Sequence, residues 1–540
     1  MLWPAAGLAG VLLARQTAEI VSKSMKVSVI KGIDGAVRSR VRELSLRRTE
    51  IGHLEDPAYR DLLEKAGDQG LTWRLRSPGT AATGQLEITA RVLSAVLMSA
   101  VLAQWFPLLA LALLILSLVI RSITRRQWMF LEGVKDAATP ERRKVDFWAN
   151  LALGPAAGTE VRLFGLGPWI SERRLEAHYS WMKDYWRIRR TILNRQWVNA
   201  SLALSAGTLG LGIPGLAALA GELSSAQLTS ALVAVLGIFA ISVMGSEAFD
   251  IEYGKSAVEA LRALQNEDAL EQKGKLNSPA KAATVRFENV CFQYPGQHHP
   301  VFHDLNLTIR PGENLAIVGS NGAGKTTLIK LLAGLYHPTS GRVTVNGTDM
   351  RDLDPSGWRR RISVLFQDFV HYPLALRENI RLSAPEAEVT DCQLIQIMNR
   401  CGLGTLLGDL DATLDTKLWQ NATGGRDLSG GQWQKLAVLR SVFASSQGRN
   451  LIVLDEPTAN LDVRSETSFF EQIIGLIKPA SVVLISHRLS TVRPADRIVF
   501  LANGQIIEEG SHDDLIALQG RYATLFQLQA SRFEEEGTHD

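Results

Sequence analysis

Cysteine is scarce here: three in 540 residues, an odd number. Cys291, Cys392 and Cys401 all fall in the C-terminal half and lack metal-ligand spacing. That excludes a disulfide framework or a zinc module and reads as reduced cytosolic thiols. Strong charge of one sign is also missing, since 58 Lys and Arg against 55 Asp and Glu leave a net +3. So weak a field would not hold a phosphate backbone, and no nucleic-acid partner is expected. The opening stretch MLWPAAGLAGVLLARQ lacks a basic n-region, so no cleaved signal peptide is expected. Its apolar run of roughly 14 residues is by itself short for a membrane span of about 20.

What the first half has in quantity is uncharged length. Residues 88–121 read ITARVLSAVLMSAVLAQWFPLLALALLILSLVIR, with one internal arginine near the start. The run is too long for one span of about 20 residues and long enough for two short ones. QWFP at 104–107 supplies the turn, because Pro107 breaks a helix and Trp105 suits a membrane interface. Residues 197–220 and 226–246 form a second apolar hairpin around GELSS. A buried soluble bundle rarely carries consecutive apolar runs of this length, so the first half reads as a membrane domain. No buried charged cluster is visible in the spans, and Asn199 is their clearest polar residue. Nothing there advertises an ionic cargo.

The turns at 104–107 and 221–226 carry no Lys or Arg, whereas 23–87 and 121–196 are rich in both. The positive-inside rule places those long basic segments in the cytoplasm. Helices lying on anionic lipid are the alternative. Segments of roughly 65 and 75 residues can hold paired helices, at 1.5 Å per residue, that reach well below the bilayer as arms.

The second half changes character. Residues 267–283 are polar with Gly, Ser and Pro and read as a linker. VRFENVCFQYP alternates like a strand. ENLAIVGSNGAGKTTLIKLLAGL is then strand, loop and helix. Its loop Gly319, Ser320, Asn321, Gly322, Ala323, Gly324, Lys325, Thr326 completes G-x-x-x-x-G-K-[ST], with Thr327 following. Such glycines let backbone N–H groups face phosphates at a helix N-terminus. Lys325 is expected to reach the β- and γ-phosphates and the Thr326 hydroxyl to hold Mg²⁺. In NLIVLDEPTANLD, the apolar strand Leu451–Leu454 ends on Asp455, placed to bind Mg²⁺ through water. Glu456 follows directly and can polarise an attacking water. VVLISHRLS repeats the strand with a polar end, at His487.

LSGGQWQ at 428–434 has two readings. Ser429 with Gln432 is a capping box that starts a helix. Ser429, Gly430 and Gly431 at a helix N-terminus are equally an anion site. One nucleotide tail is already cradled at 319–326, so a second such site makes sense on a nucleotide held by another copy of the domain.

Together these motifs resemble the ATP-binding cassette (ABC) family, and nearly the whole chain resembles an exporter-type half-transporter with its membrane domain fused to its nucleotide domain. The resemblance implies further roles. Tyr294 in FQYP matches the adenine-stacking aromatic, and Gln367 the glutamine that contacts Mg²⁺ and senses the membrane domain. LSGGQ, with Ser429, Gly430, Gly431 and Gln432, is the family signature. Asp462 matches the aspartate of the inter-domain contact loop, and His487 the switch histidine. IGHLEDPAYRDLLEKA resembles the first coupling segment and EVRLFGLGPWISERR the second. Two departures stand out. The family usually has six spans, against four here plus a partial one, so the first span is expected to be missing. Thr423 stands where a glutamate often precedes the signature.

The expected fold is therefore multidomain: an all-α transmembrane domain with long cytoplasmic arms, then an α/β P-loop NTPase domain. The expected boundaries are 1–266 for the membrane domain, 267–283 for the linker, 284–530 for the nucleotide-binding domain and 531–540 for an acidic tail. The expected activity is ATP-driven transport, outward, with ATP and Mg²⁺ as cofactors. Glu456, His487 and Lys325 carry the chemistry, and Thr326, Gln367 and Asp455 the metal. A homodimer, or a heterodimer with a related half, embedded in membrane lipid of a bacterial plasma membrane is implied, with the nucleotide domain in the cytoplasm. An importer on the same fold is the alternative. A cassette ATPase without transport is opposed by the fused spans. Small molecules, peptides and lipids all stay open as cargo.

Overall fold

The computed structural model describes the chain apart from residues 1, 68–76, 155–156, 270–273, 275, 278–282, 405–412, 420–422, 458–470, 487 and 538–540. It folds as two compact units. One is Met1–Arg42 with Leu62–Ala263, and the other is Glu43–Asp61 with Leu264–Asp540.

The first unit is helical. In chain order the helices up to its end are α1 (Leu2–Arg47), α2 (Gly52–Glu55), α3 (Pro57–Gly67), α4 (Pro78–Ala103), α5 (Pro107–Ala137), α6 (Thr139–Leu153), α7 (Gly158–Leu163), α8 (Gly167–Asn194), α9 (Gln196–Leu219), α10 (Ser225–Phe239) and α11 (Glu247–Ala269). Among the described residues, three helical runs are long and apolar enough to cross a membrane: Pro78–Ala103, Pro107–Leu131 and Gly167–Leu219. Pro78 opens α4 at a position where its missing N–H costs nothing, and Ser77 caps it by accepting from Thr80 N. The helix therefore starts well before the apolar run at residue 88. Its 26 residues span about 39 Å, more than the ~30 Å hydrocarbon core. The basic stretches form helices too, and α6 packs on α8 through Trp148 and Trp169, edge to face at 5.4 Å.

Where the two hairpins meet, Leu102, Ala110 and Leu113 pack on Ala206, Ala231, Val235 and Ile238. Small residues permit the approach. A Cβ at Gly237 would lie 2.6 Å from Met98 Cγ.

The structure corrects two sequence expectations here. First, the last apolar run is not one helix to residue 246. α10 has 15 residues, about 22 Å, short of the bilayer core. The backbone is irregular from 240 to 246 before α11 begins. Second, the spans do contain a buried charge cluster, and it sits at that break. Arg121 Nη1 donates to Ile241 O at 3.0 Å and to Val243 O at 3.4 Å, and Arg91 Nη1 donates to Val243 O at 3.3 Å. Both arginines pair with Glu247 at 3.2 Å, and Glu247 is 0% exposed. Two cations thus take the Ile241 and Val243 carbonyls just past the C-terminus of α10, and an anion sits in the first turn of α11, where it complements the helix dipole. The cluster draws one residue each from α4, α5 and α11, so each looks solitary in the sequence. Asn199 is buried on α9 and donates to Gln196 Oε1 at 3.3 Å.

The second unit carries two sheets. β1 (Val285–Phe292), β2 (Phe302–Ile309), β4 (Ser340–Val345) and β5 (Thr348–Asp349) form an antiparallel sheet of order β2-β1-β4-β5. β3 (Asn314–Gly319), β6 (Ile362–Leu365), β7 (Leu451–Asp455), β8 (Ser481–Ile485), β9 (Arg497–Ala502) and β10 (Gln505–Gly510) form a second, of order β10-β9-β3-β8-β7-β6. It is parallel except at β10. β7, β8 and β9 are buried along their whole length, which is why they read as unbroken apolar runs rather than alternating ones. Arg497 ties this layer together by donating to Glu313 at 2.6 and 2.9 Å and to Glu509 at 2.6 Å. A helical part surrounds Trp433, Leu436 and Phe443 of the helix Gly430–Ser446, with Met398 and Ile380.

The segment Glu43–Asp61 belongs to this unit as well. Ile51 N donates to Leu335 O at 3.1 Å, and Lys330 Nζ donates to Glu55 Oε1 at 3.4 Å. Residues 51–61 of this segment are the larger part of the stretch 51–66 that the sequence likens to a first coupling segment.

Candidate active site

The parallel sheet brings two chemically loaded strand ends side by side. β3 runs into the glycine loop, and α12 (Lys325–Leu332) follows it. Two glycines there are required by space. A Cβ at Gly319 would lie 2.1 Å from Leu501 O, and one at Gly324, whose φ is 102°, would lie 2.7 Å from the Phe302 ring. Gly324 is also the N-cap of α12, so the loop ends at an open helix N-terminus whose N–H groups suit an anion.

β7 ends on Asp455, and Glu456 follows in a left-handed conformation with φ 51°, unusual for a residue with a side chain. Its backbone is held at both ends: Glu456 N donates to Ile485 O at 2.9 Å, and Gln434 Nε2 donates to Glu456 O at 2.9 Å. Gln434 is a site residue that the sequence gives no reason to single out, since it lies inside a helix.

These ends meet in a cleft of about 620 Å³ lined by Val301, Asn321, Gly322, Gly324, Lys325, Thr326, Thr327, Gln367, Asp455 and Glu456. Lys325 folds back on its own loop, its Nζ donating to Gly319 O at 2.9 Å and Ser320 O at 3.0 Å. Burial lowers its pKa, and Glu456 and Asp455 pull the other way. Thr326 Oγ1 donates to Asp455 Oδ2 at 3.4 Å. Burial, reinforced by the neighbouring Glu456 carboxylate, pushes the Asp455 pKa up to about 6. A cation beside it would relieve that. A hydroxyl, a carboxylate and the Gln367 amide in one cleft form an oxygen donor set suited to Mg²⁺. Among the described residues, no group of three His, Cys, Asp or Glu makes an all-protein metal site, so such an ion would share its shell with phosphate and water.

The other expected residues are placed as follows. Tyr294 does not line the cleft; its hydroxyl lies 3.0 Å from Thr327 Oγ1, and its ring stands edge-on to Phe292 and Tyr336. Lys330 Nζ lies 5.1 Å from its ring centre. Ser429 caps the helix Gly430–Ser446: its Oγ accepts from Gln432 N at 3.3 Å, and its own N donates to Gln432 Oε1 at 2.9 Å. The capping-box reading therefore holds. Ser429, Gly430, Gly431 and Gln432 do not line the cleft of their own chain. Asp462 and His487 lie outside the described residues.

Residues 302–459 match the family model described as ABC transporter. The chain carries the ATP-binding cassette of that family. It is 36% identical over 253 residues to the nisin transport ATP-binding protein of Lactococcus lactis subsp. lactis, covering 47% of this chain and 42% of that protein. It is 35% identical over 285 residues to the ATP-dependent lipid A-core flippase of Thiobacillus denitrificans, covering 52% and 48%. The chain thus spans less than half the length of these curated relatives in the matched region. In three dimensions it is similar to a bacterial Atm1-family ABC exporter solved with ATP bound, at a TM-score of 0.71 and 21% identity, over 96% of this chain and 88% of that one. The fold is that of an ABC exporter: a helical domain with membrane-length apolar helices, then the α/β cassette. The cassette binds ATP, and the apolar helices make the chain an integral membrane protein.

Proposed function

We propose that this chain is one half of a dimeric ABC exporter that hydrolyses ATP to move a small molecule, peptide or lipid out across a bacterial plasma membrane, with the cassette on the cytoplasmic side. The observation that carries this is the meeting of Lys325, Thr326, Asp455 and Glu456 in one cleft, on a chain whose other unit holds membrane-length apolar helices.

In this reading the Lys325 ammonium leaves the Gly319 and Ser320 carbonyls for the β- and γ-phosphates of ATP. The N–H groups at the start of α12 take the remaining phosphate oxygens. Thr326 and Asp455, with Gln367, would hold Mg²⁺, which neutralises phosphate charge when bound. The Glu456 carboxylate accepts a proton as water's oxygen bonds to the γ-phosphorus and the bond to ADP breaks. Gln434 and Ile485 hold the Glu456 backbone in place for that step. Ser429 and the Gly430–Gly431 amides point their helix N-terminus at a different nucleotide, the one in the partner chain. Two composite sites per dimer follow, and nucleotide closes them.

The test uses two variants that spoil different faces. Lys325→Ala and Ser429→Arg should each abolish ATPase activity as homodimers. A mixed dimer holds one site with both faces damaged and one with both intact. Its activity should return to about half that of the parent dimer if one good site suffices. A nucleotide count of one per mixed dimer accompanies the activity. No recovery despite one bound nucleotide would overturn the trans arrangement.

A further inference from the structure

The helix Gly430–Ser446 makes a contact that capping does not require. Trp433, in its first turn, is 3% exposed. Its indole lies flat on the imidazole of His371, with ring centroids 4.3 Å apart and planes 2° from parallel. His371 lies just beyond Gln367, in the segment that leaves β6. The Phe369 ring also lies near it, tilted, with centroids 5.4 Å apart.

Bulk alone would bury a leucine or a phenylalanine at 433. The indole does more. Its Nε1 donates to Asp427 Oδ1 at 3.0 Å, and the same oxygen accepts from Leu428 N at 2.9 Å. Asp427 and Leu428 lead directly into Ser429. So one aromatic pair has the Gln367 loop on one side and the turn that sets the signature on the other. A second grip lies further along the same helix. Arg440 donates to Asn379 O at 3.0 Å, to Asn379 Oδ1 at 2.7 Å and to Val370 O at 3.5 Å, and its guanidinium lies 5.6 Å from the Tyr372 ring centre. Arg440 fastens the body of the helix to the loop, and the stack fastens its tip.

We infer that His371 and Trp433 are positioning residues: their stack locks the Ser429–Gly431 N-terminus to the Gln367 loop and so sets the angle at which that signature meets the partner's nucleotide. This rests on the functional reading above and names a device within it. Neither ring touches nucleotide. Each acts through Ser429.

Purified dimers in nanodiscs test this. His371→Ala should lower kcat by roughly tenfold to a hundredfold, the scale of a misplacement of about 1 Å at a reacting group. KM for ATP and the unfolding temperature should stay near those of the parent. His371→Phe, which keeps a flat ring on the indole, should restore most of the rate. Trp433→Phe, which keeps the ring and loses the N–H, should fall between. The mixed dimer adds a readout that general destabilisation cannot produce. Its one working site takes its signature from the Lys325→Ala chain and its phosphate loop from the Ser429→Arg chain. Adding His371→Ala to the first chain should remove the recovered activity, and adding it to the second should largely spare it. Equal loss in both placements, or a fully active His371→Ala dimer, overturns the inference alone. A parent dimer that turns over no ATP overturns the functional reading and this inference with it.

Discussion

The two units place their polar chemistry in opposite ways. In the cassette, groups that meet in space are neighbours in sequence: Lys325 and Thr326 are adjacent, as are Asp455 and Glu456, and only the parallel pairing of strands joins the two sets. In the helical unit, the paired charges Arg91, Arg121 and Glu247 come from three separate helices, and no two are close in sequence. The first pattern suits a site that must present several groups to a ligand at one strand edge. The second suits a clamp, since each charge is satisfied only when three elements are in place. One arrangement should fail chemically without failing structurally. The other should do the reverse.

The largest effect expected is on chemistry. Glu456→Gln keeps the size and removes the base, so ATP turnover should fall by about 10²–10⁴-fold, measured as phosphate release, with the unfolding temperature unchanged. A variant that hydrolyses at the parent rate would remove Glu456 from the role assigned to it. Next comes the clamp. Glu247→Ala leaves two arginines facing each other with no anion, and such a loss typically costs ~3–5 kcal/mol. Thermal unfolding in detergent should show a clear drop, while isolated cassette chemistry stays intact. If Glu247→Ala spared stability and Glu456→Gln lost it, the contrast between the units would collapse.

The smallest effect sharpens the contrast from inside the cassette. The folded-state pKa of Asp455 is raised from 3.8 to about 6, chiefly by burial and then by Glu456. The folded form therefore holds that proton more tightly than the unfolded chain. Its contribution to stability is full below pH 3.8 and is lost as pH rises through about 6. At pH 7 the nucleotide-free protein carries the charge at a cost, and Asp455→Asn mimics the protonated form. That variant should stabilise nucleotide-free protein by about 1–3 kcal/mol at pH 7, with the gain shrinking toward pH 4. It should also weaken Mg²⁺-dependent nucleotide binding. Differential scanning at the two pH values reads the first, and nucleotide titration with and without Mg²⁺ the second.

The same contrast explains what could be read from sequence. The phosphate loop, the Asp455–Glu456 pair and the capping box at Ser429 are contiguous, so spacing alone exposes them. The apolar runs locate α4, α5 and α9, because burial in lipid is a demand on composition. The ends of α4 and α10 were not legible from hydropathy. α4 starts at Pro78 because a proline and a capping serine fit a helix start, whatever the polarity of the next turn. α10 stops at Phe239, and arginines on other helices donate to the Ile241 and Val243 carbonyls just beyond it, a tertiary effect with no local mark. Gln434, His371 and Trp433 stayed hidden for a related reason. Each sits in a pattern that packing alone would explain, and only the partner across the fold gives it a role. The glycines of the phosphate loop are the converse, since nothing larger fits at Gly319 or Gly324.

The interruption between α10 and α11 also has a mechanical meaning. A continuous helix carries a bending load along its whole ladder of hydrogen bonds, whereas a broken one behaves as two rods and a joint. α11 is the rod that leads onward toward the cassette sequence, and Glu247 is its first residue. A push along α11 therefore need not be borne by α10. It is shunted sideways, through Glu247 into Arg91 and Arg121, and arrives in the middle of the first hairpin.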